Sequence, residues 1–285
     1  MDPLSFAAEG MPPVGRGVFA RATVPEGPFA FAVVNGAHRD WREQGAAARA
    51  RGLDVWIFSG PDYWRPENWR AEARRIEERA VALGATGIII DPENGWAGRD
   101  QSVTNAQRRA EFRAMGEWAR DVSKRRGLRV GVTSFPMMPD IGVMAEAAGG
   151  ALFGAPQLYD LNEPETDETL RAWFERWRAI FGPRLAICVP AWAAGERHRT
   201  EAGMRAYLDT LARVAPVPGA IAWPEGIPIP AYILRALASY EPGGSSLGTV
   251  LRTVEAALLR PVALVIIGAV LLLAVALAFA TGKGA

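Results

Sequence analysis

The stretch GIIIDPENGW, residues 87–96, runs apolar through three isoleucines and then ends in two carboxylates, Asp91 and Glu93, with Pro92 between them. On a strand, residues i and i+2 project from one face, roughly 6.6 Å apart along it, so both acids are expected to point the same way. At an effective dielectric near 20 their charges repel by about 2.5 kcal/mol, or about two pKa units if one group takes the whole shift. One of them then keeps its proton toward neutrality, as a general acid must. The plain alternative is that Asp91 and Glu93 open the next loop or cap its helix.

Such a pair needs a frame, and residues 1–240 alternate short β-branched runs with charged amphipathic stretches, the pattern of repeated βαβ units. The strands expected are FAFAVVN (29–35), LDVWIFS (53–59), GIIID (87–91), LRVGVTSF (128–135), ALFGAPQLY (151–159), LAICVPAW (185–192) and GAIAWP (219–224), with GVFARAT (17–23) as an eighth. Residues 64–85 and 104–127 are the clearest helices, each closing on or near a glycine. Continuous apolar runs imply strands covered on both faces, hence a parallel sheet wrapped by helices. The expectation is a (β/α)8 TIM barrel, with a doubly wound sheet as the alternative. One irregularity is expected: VPEGP alone separates GVFARAT from the next strand, too little for a helical crossover.

In a barrel the chemistry sits at the C-terminal ends of the strands. Those ends carry Asn35, Ser59 with Asp62, Tyr63 and Trp64, Asp91 with Glu93 and Trp96, Thr133 and Ser134, Gln157 with Tyr159 and Asp160, Trp192, and Trp223 with Glu225. Flat aromatic faces among carboxylates suit a sugar, whose ring faces are apolar and whose edges need hydrogen bonds.

TGIIIDPE (86–93) resembles the fourth-strand D-G-x-D-x-D-x-E signature of glycoside hydrolase family 18, the chitinase-like barrels, with the last Asp and the Glu kept. LRVGVTSFPMMPD resembles the family's fifth strand, FGAPQLYD its sixth with the Q-x-Y ending, RLAICVPAWAAGE its seventh, and GAIAWPEG its eighth with a terminal Trp. The order and spacing agree from about residue 29 to 235. The resemblance implies Glu93 as general acid, Asp91 and Tyr159 orienting the substrate's acetamido group with help from Gln157, and Trp223 flooring the sugar subsite. Asn35, Trp96, Asp160 and Trp192 would complete the sugar contacts. The acetamido oxygen, and no second protein carboxylate, would attack the anomeric carbon, the exception this family makes to the two-carboxylate scheme. The implied partner is a β-1,4-linked polymer containing N-acetylglucosamine, chitin-like or peptidoglycan. Thr86 and Ile89 stand where the family has its first two Asp residues, so Asp91 lacks a carboxylate behind it and altered activity is the expected consequence. The competing reading is a carbohydrate-binding or structural barrel without turnover.

Lys and Arg number 32 against 31 Asp and Glu in 285 residues, so no strong field steers the chain toward nucleic acid. A single cysteine excludes an intrachain disulfide, and with only two histidines there is little material for a metal site; no metal or cofactor is expected. Cys188 reads as a small core residue, His38 and His198 as surface loop residues, and the acidic loop Asp160, Glu163 and Asp167 as solvated. Arg70, Arg74, Arg75 and Arg79 interleaved with Glu67, Glu72, Glu77 and Glu78 read as a solvated helix face, while Trp69, Trp118, Trp173 and Trp177 read as packed on the barrel.

The C-terminal segment differs in kind. Residues 261–280 are uncharged and apolar, and as a helix would span about 30 Å, one bilayer core. The expected order is a linker at 241–246, an amphipathic helix at 247–260 and a single-pass membrane helix at 261–280, with a buried helix or an oligomeric bundle as the alternatives. No signal peptide pattern opens the chain, and Arg252 and Arg260 before the span favour the barrel on the cytoplasmic side. Homo-oligomers through the C-terminal helices, and a virion or phage-encoded wall hydrolase, are the associated expectations.

Overall fold

The computed structural model describes residues 10–20, 24–27, 29–60, 64–65, 68–93, 104–159, 165–191, 198–223 and 229–242. Eight strands form: Gly15–Ala20 (β1), Phe31–Asn35 (β2), Asp54–Ser59 (β3), Gly87–Ile90 (β4), Arg129–Ser134 (β5), Leu152–Pro156 (β6), Ile187–Pro190 (β7) and Gly219–Trp223 (β8). Among the described residues seven helices accompany them: Trp41–Ala50 (α1), Trp69–Leu83 (α2), Asn105–Arg126 (α3), Ile141–Ala148 (α4), Asp167–Phe181 (α5), Glu201–Val214 (α6) and Ala231–Ser239 (α7). All paired strands are parallel, and each of β1 to β5 lies beside its successor. β8 pairs with both β1 and β7. The ring is closed between β6 and β7 by two parallel bridges, Gly154 with Leu185 and Gln157 with Cys188. The architecture is therefore the barrel and not the doubly wound sheet.

The isoleucine run explains why the strands read as continuously apolar. Ile88 and Ile90 belong to the layer between sheet and helices, whereas Ile89 faces the barrel interior, and all three are fully buried. The interior holds two aromatic groups. Phe31, Trp56 and Phe153 pack toward the N-terminal ends, with Trp56 edge-on to Phe153 at 5.5 Å between ring centroids. Phe19, Phe58 and Trp223 pack near the C-terminal ends, at 4.5–5.0 Å. Room for the lower group comes from glycines: a Cβ on Gly87 would strike the Trp56 ring and the Arg129 carbonyl, and one on Gly131 the Phe153 ring. Gly87→Ala is expected to cost about 1–3 kcal/mol by overpacking, read as a lower midpoint in chemical denaturation.

The irregularity foreseen at the first crossover is present. Residues 24–27 and 29–30 are non-helical, yet β2 runs parallel to β1. Ten residues at roughly 3.3 Å each can reach back along a six-residue strand without a helix. Helix punctuation follows the sequence: Thr104 and Gln107 form a capping box at the start of α3, and Gly84 and Gly127 end α2 and α3 in the left-handed region.

Three expectations are corrected. The acidic face of α2 is not simply solvated: Glu72 is 5% exposed, accepts from the Ser59 hydroxyl at the end of β3 and pairs with Arg75 at 2.6 Å. Glu77, 8% exposed, accepts from Arg125 and Arg126 of α3 at 3.0 and 2.9 Å. These carboxylates tie α2 to the barrel and to α3. Trp64, expected on the rim, is fully buried, stacked on Trp69 and tilted against Trp118. His198 is buried against Tyr207, not on the surface.

The chain divides into two units, Met1–Gly244 and Ser245–Ala285, and the second lies outside the described residues. So do the expected amphipathic helix at 247–260 and membrane span at 261–280. Among the described residues no helix is long and apolar enough to cross a membrane.

Candidate functional site

β4 ends at Ile90, one residue earlier than expected, and the chain turns at once. The Glu93 N–H donates to the Asp91 carbonyl at 3.1 Å, so Asp91-Pro92-Glu93 is a three-residue turn built around the fixed φ of proline. This corrects the extended spacing assumed from the sequence. The turn brings the two carboxyl groups within reach of one amide nitrogen, Gln157 Nε2.

Gln157, just past β6, joins them from across the mouth. Its Nε2 donates to Glu93 Oε1 at 2.7 Å and lies 3.3 Å from Asp91 Oδ1. The Phe135 backbone also hydrogen-bonds the Glu93 carboxyl. That amide sits on the loop after β5, which is pinned where Trp177 Nε1 donates to the Pro136 carbonyl at 2.9 Å and Arg108 pairs with Asp140 at 3.1 Å. Sequence reasoning missed Phe135 because a backbone N–H leaves no mark in the residue type.

Burial sets the electrostatics. Asp91 is 2% exposed, and loss of water, followed by the charge of Glu93, pushes its pKa well above the ordinary carboxylate range. Burial likewise raises Glu93, against the opposing pull of Gln157, Asp91 and the Phe135 amide. Among the described residues no arginine or lysine compensates either acid. Burial thus biases both carboxyls toward the protonated form, the form a proton donor needs.

Tyr159 is buried in the same interior, where burial and then the neighbouring Cys188, Asp91 and Glu93 keep its phenol protonated. Trp223, partly exposed at the end of β8, packs against that interior cluster and lies on Phe19 and Phe58. The structure thus brings together Asp91, Glu93, Gln157, Tyr159 and Trp223. Asn35, at the end of β2, accepts with its Oδ1 from the Ala37 N–H in the following turn at 2.9 Å. Trp96, Asp160 and Trp192 lie outside the described residues. Cys188 is fully buried inside the barrel, and loss of water lifts its thiol pKa to about 12, which removes it as a nucleophile. Among the described residues no group of three His, Cys, Asp or Glu is placed to hold a metal ion.

No family model and no curated protein matches the sequence. Solved structures do. A family 18 chitinase from Pseudoalteromonas aurantia is 12% identical, covers 79% of this chain and 99% of its own, and gives a TM-score of 0.59. A plant class V chitinase mutant from Cycas revoluta, in complex with (GlcNAc)3, is 10% identical over 79% of this chain and 99% of its own, with a TM-score of 0.51. A D-tagatose 3-epimerase-like protein reaches the same TM-score of 0.51 at 10% identity, over 78% and 93% of the two chains. The chain is a (β/α)8 barrel with a buried carboxylate pair at its mouth. Its fold is the one that family 18 chitinases share, among other barrel proteins.

Proposed function

We propose that the protein is a glycoside hydrolase that cleaves β-1,4-linked polymers of N-acetylglucosamine, chitin-like or peptidoglycan, with the substrate's own acetamido group as nucleophile. The observation that carries this reading is the buried, uncompensated Asp91–Glu93 pair bridged by Gln157 beside Tyr159 and Trp223. Glu93 gives its proton to the glycosidic oxygen as the acetamido carbonyl oxygen attacks the anomeric carbon and the aglycone leaves. Glu93, now a carboxylate, takes a proton from the water that opens the cyclic intermediate. Asp91 accepts the acetamido N–H and Tyr159 donates to its carbonyl, which aligns that oxygen for attack. One carboxylate pair suffices because no protein group is needed on the opposite face of the sugar. The chitinase neighbours bound to GlcNAc oligomers support the choice of substrate class.

The deciding experiment incubates the purified protein with chitooligosaccharides and with peptidoglycan and reads the products by mass. New reducing ends support the hydrolase; intact substrates sink it. A second reading, a sugar-binding barrel without turnover, is favoured by Ile89, which is fully buried on the interior face where a second aspartate would support Asp91. Saturable oligosaccharide binding with no product would establish it. In either reading Trp223→Ala is expected to weaken oligosaccharide binding about tenfold, the value of one stacked ring at about 1.4 kcal/mol, as measured by titration calorimetry.

The apolar run at 261–280 is proposed as a membrane tether for the barrel, supported by its length and lack of charge. Its removal is the test: the shortened chain should pass from the membrane fraction to the supernatant.

A further inference from the structure

The barrel has a second end. Because every strand pair is parallel, all eight strands start at the face opposite the carboxylate pair, and the helices that run back along them finish there. That face is built from the last turn of each helix and the chain leading into each strand: residues 10–16, 24–27, 29–31, 47–54, 80–87, 123–129, 145–152, 178–187, 211–219 and 236–242. These segments carry ten Arg or Lys against four Asp or Glu, whereas the whole chain has 32 against 31, so the rest of it is acid-rich. Arg125, Arg126, Arg178 and Arg213 are matched by carboxylates of adjoining turns and helices. Arg16, Arg49, Arg51, Lys124, Arg129 and Arg184 form no ion pair among the described residues.

Cations in a last turn suit the helix dipole, which accounts for Arg49 and Lys124 but for no apolar side chain. Yet Met11, Val14 and Val81, three of the four large apolar side chains exposed among the described residues, lie on these same segments, 42–50% exposed. The described chain also leaves the barrel here. α7 ends at Ser239, where the Arg16 guanidinium from the start of β1 donates to the Ala238 carbonyl, and the sequence then leads to the apolar run at 261–280. We propose that this face rests on a lipid surface with anionic headgroups, its cations meeting phosphates and Met11, Val14 and Val81 entering the headgroup layer. The inference rests on the membrane tether proposed above and adds which end of the barrel meets the bilayer. The carboxylate mouth then faces away from the lipid, toward a polymer too bulky to enter it.

The test mixes the full chain with vesicles of phosphatidylcholine, alone or with phosphatidylglycerol. Cys188 is the only cysteine and is fully buried, so Val14→Cys and Val81→Cys on this face, and Arg39→Cys in the turn after β2, each give one accessible site for a fluorescent label. Spin-labelled headgroups in the anionic vesicles should quench the labels at 14 and 81 about threefold more than the label at 39, and added salt should shrink the difference. Each cation near an anionic surface is worth about fivefold, so Arg49→Gln with Lys124→Gln should lower the docked-to-free ratio about 25-fold. Equal quenching at 14, 81 and 39 in a chain that floats with both kinds of vesicle keeps the tether and overturns the docked face. Quenching at 14 and 81 in a chain that floats with the anionic vesicles alone keeps the face and sinks the tether. A chain that floats with neither, or labels at 14 and 81 that quench one another between copies before any lipid is added, overturns the face.

Discussion

Glu93→Gln is expected to lower kcat on N-acetylglucosamine oligomers by about 10²–10⁴-fold, the usual worth of a general acid, with KM and fold nearly unchanged. The substitution is close to isosteric, and a carboxamide oxygen at that position still accepts from Gln157, which now donates to Glu93 at 2.7 Å. What disappears is the transferable proton. Relief of the repulsion between two buried acids should also keep the variant at least as stable as the wild type. Steady-state kinetics with a melting curve on the same preparation check both halves. Retained kcat would show that some other group protonates the leaving oxygen.

Much of this site was legible because its chemistry rides on residue types. Asp91, Glu93, Gln157, Tyr159 and Trp223 stand at or just beyond strand ends, and parallel strands covered on both faces announce themselves as apolar runs. The barrel followed, including a first strand whose crossover is too short for a helix. The parts that were not legible have a common cause. Pro92 closes a tight turn that brings both carboxyls to the one Gln157 amide, and whether a strand ends one residue early is not written in its hydrophobicity. Glu72 and Glu77 look like surface charge by composition, yet the hydroxyl of Ser59 and the arginines of α3 lie far away in sequence and meet them only in the folded barrel. His198 and Trp64 were misplaced for the same reason: burial depends on partners from other elements. Thr133 and Cys188 were read as rim and core, and only the cross-barrel distance joins them.

The interior also shows why the two acids are so dry. Phe31, Trp56 and Phe153 lie over glycines that have no side chain to displace, which seals the N-terminal end with aromatic surface. Above them Ile89 and Phe58 continue the dry packing up to the acids. Asp91 is therefore raised by its surroundings from below and by Glu93 from beside it, and the cost of that arrangement is borne by the fold.

Asp91→Asn is accordingly expected to abolish catalysis and to stabilise the protein at neutral pH. An asparagine reproduces the protonated acid permanently: its carbonyl can accept from Gln157 and its amide can donate to Glu93. In the wild type, burial and the Glu93 charge raise the Asp91 pKa above the ordinary carboxylate range, and burial raises that of Glu93. Between the ordinary range and those raised values the folded state binds more protons than the unfolded chain, so stability falls as pH rises through that window. The penalty is absent below the ordinary carboxylate range and present in full above the raised values. Asp91→Asn removes the larger part of it, so its melting temperature should exceed that of the wild type by about 2–4 °C at pH 7, what about 1 kcal/mol is worth in a domain of this size. At pH 4 and below the two curves should converge, and loss of stability at pH 7 would show that ionised Asp91 has a partner which compensates its charge. A variant that melts later and no longer turns over would place the destabilising group and the working group at one carboxylate, which is how a site tuned for proton transfer differs from a buried acid kept for structure.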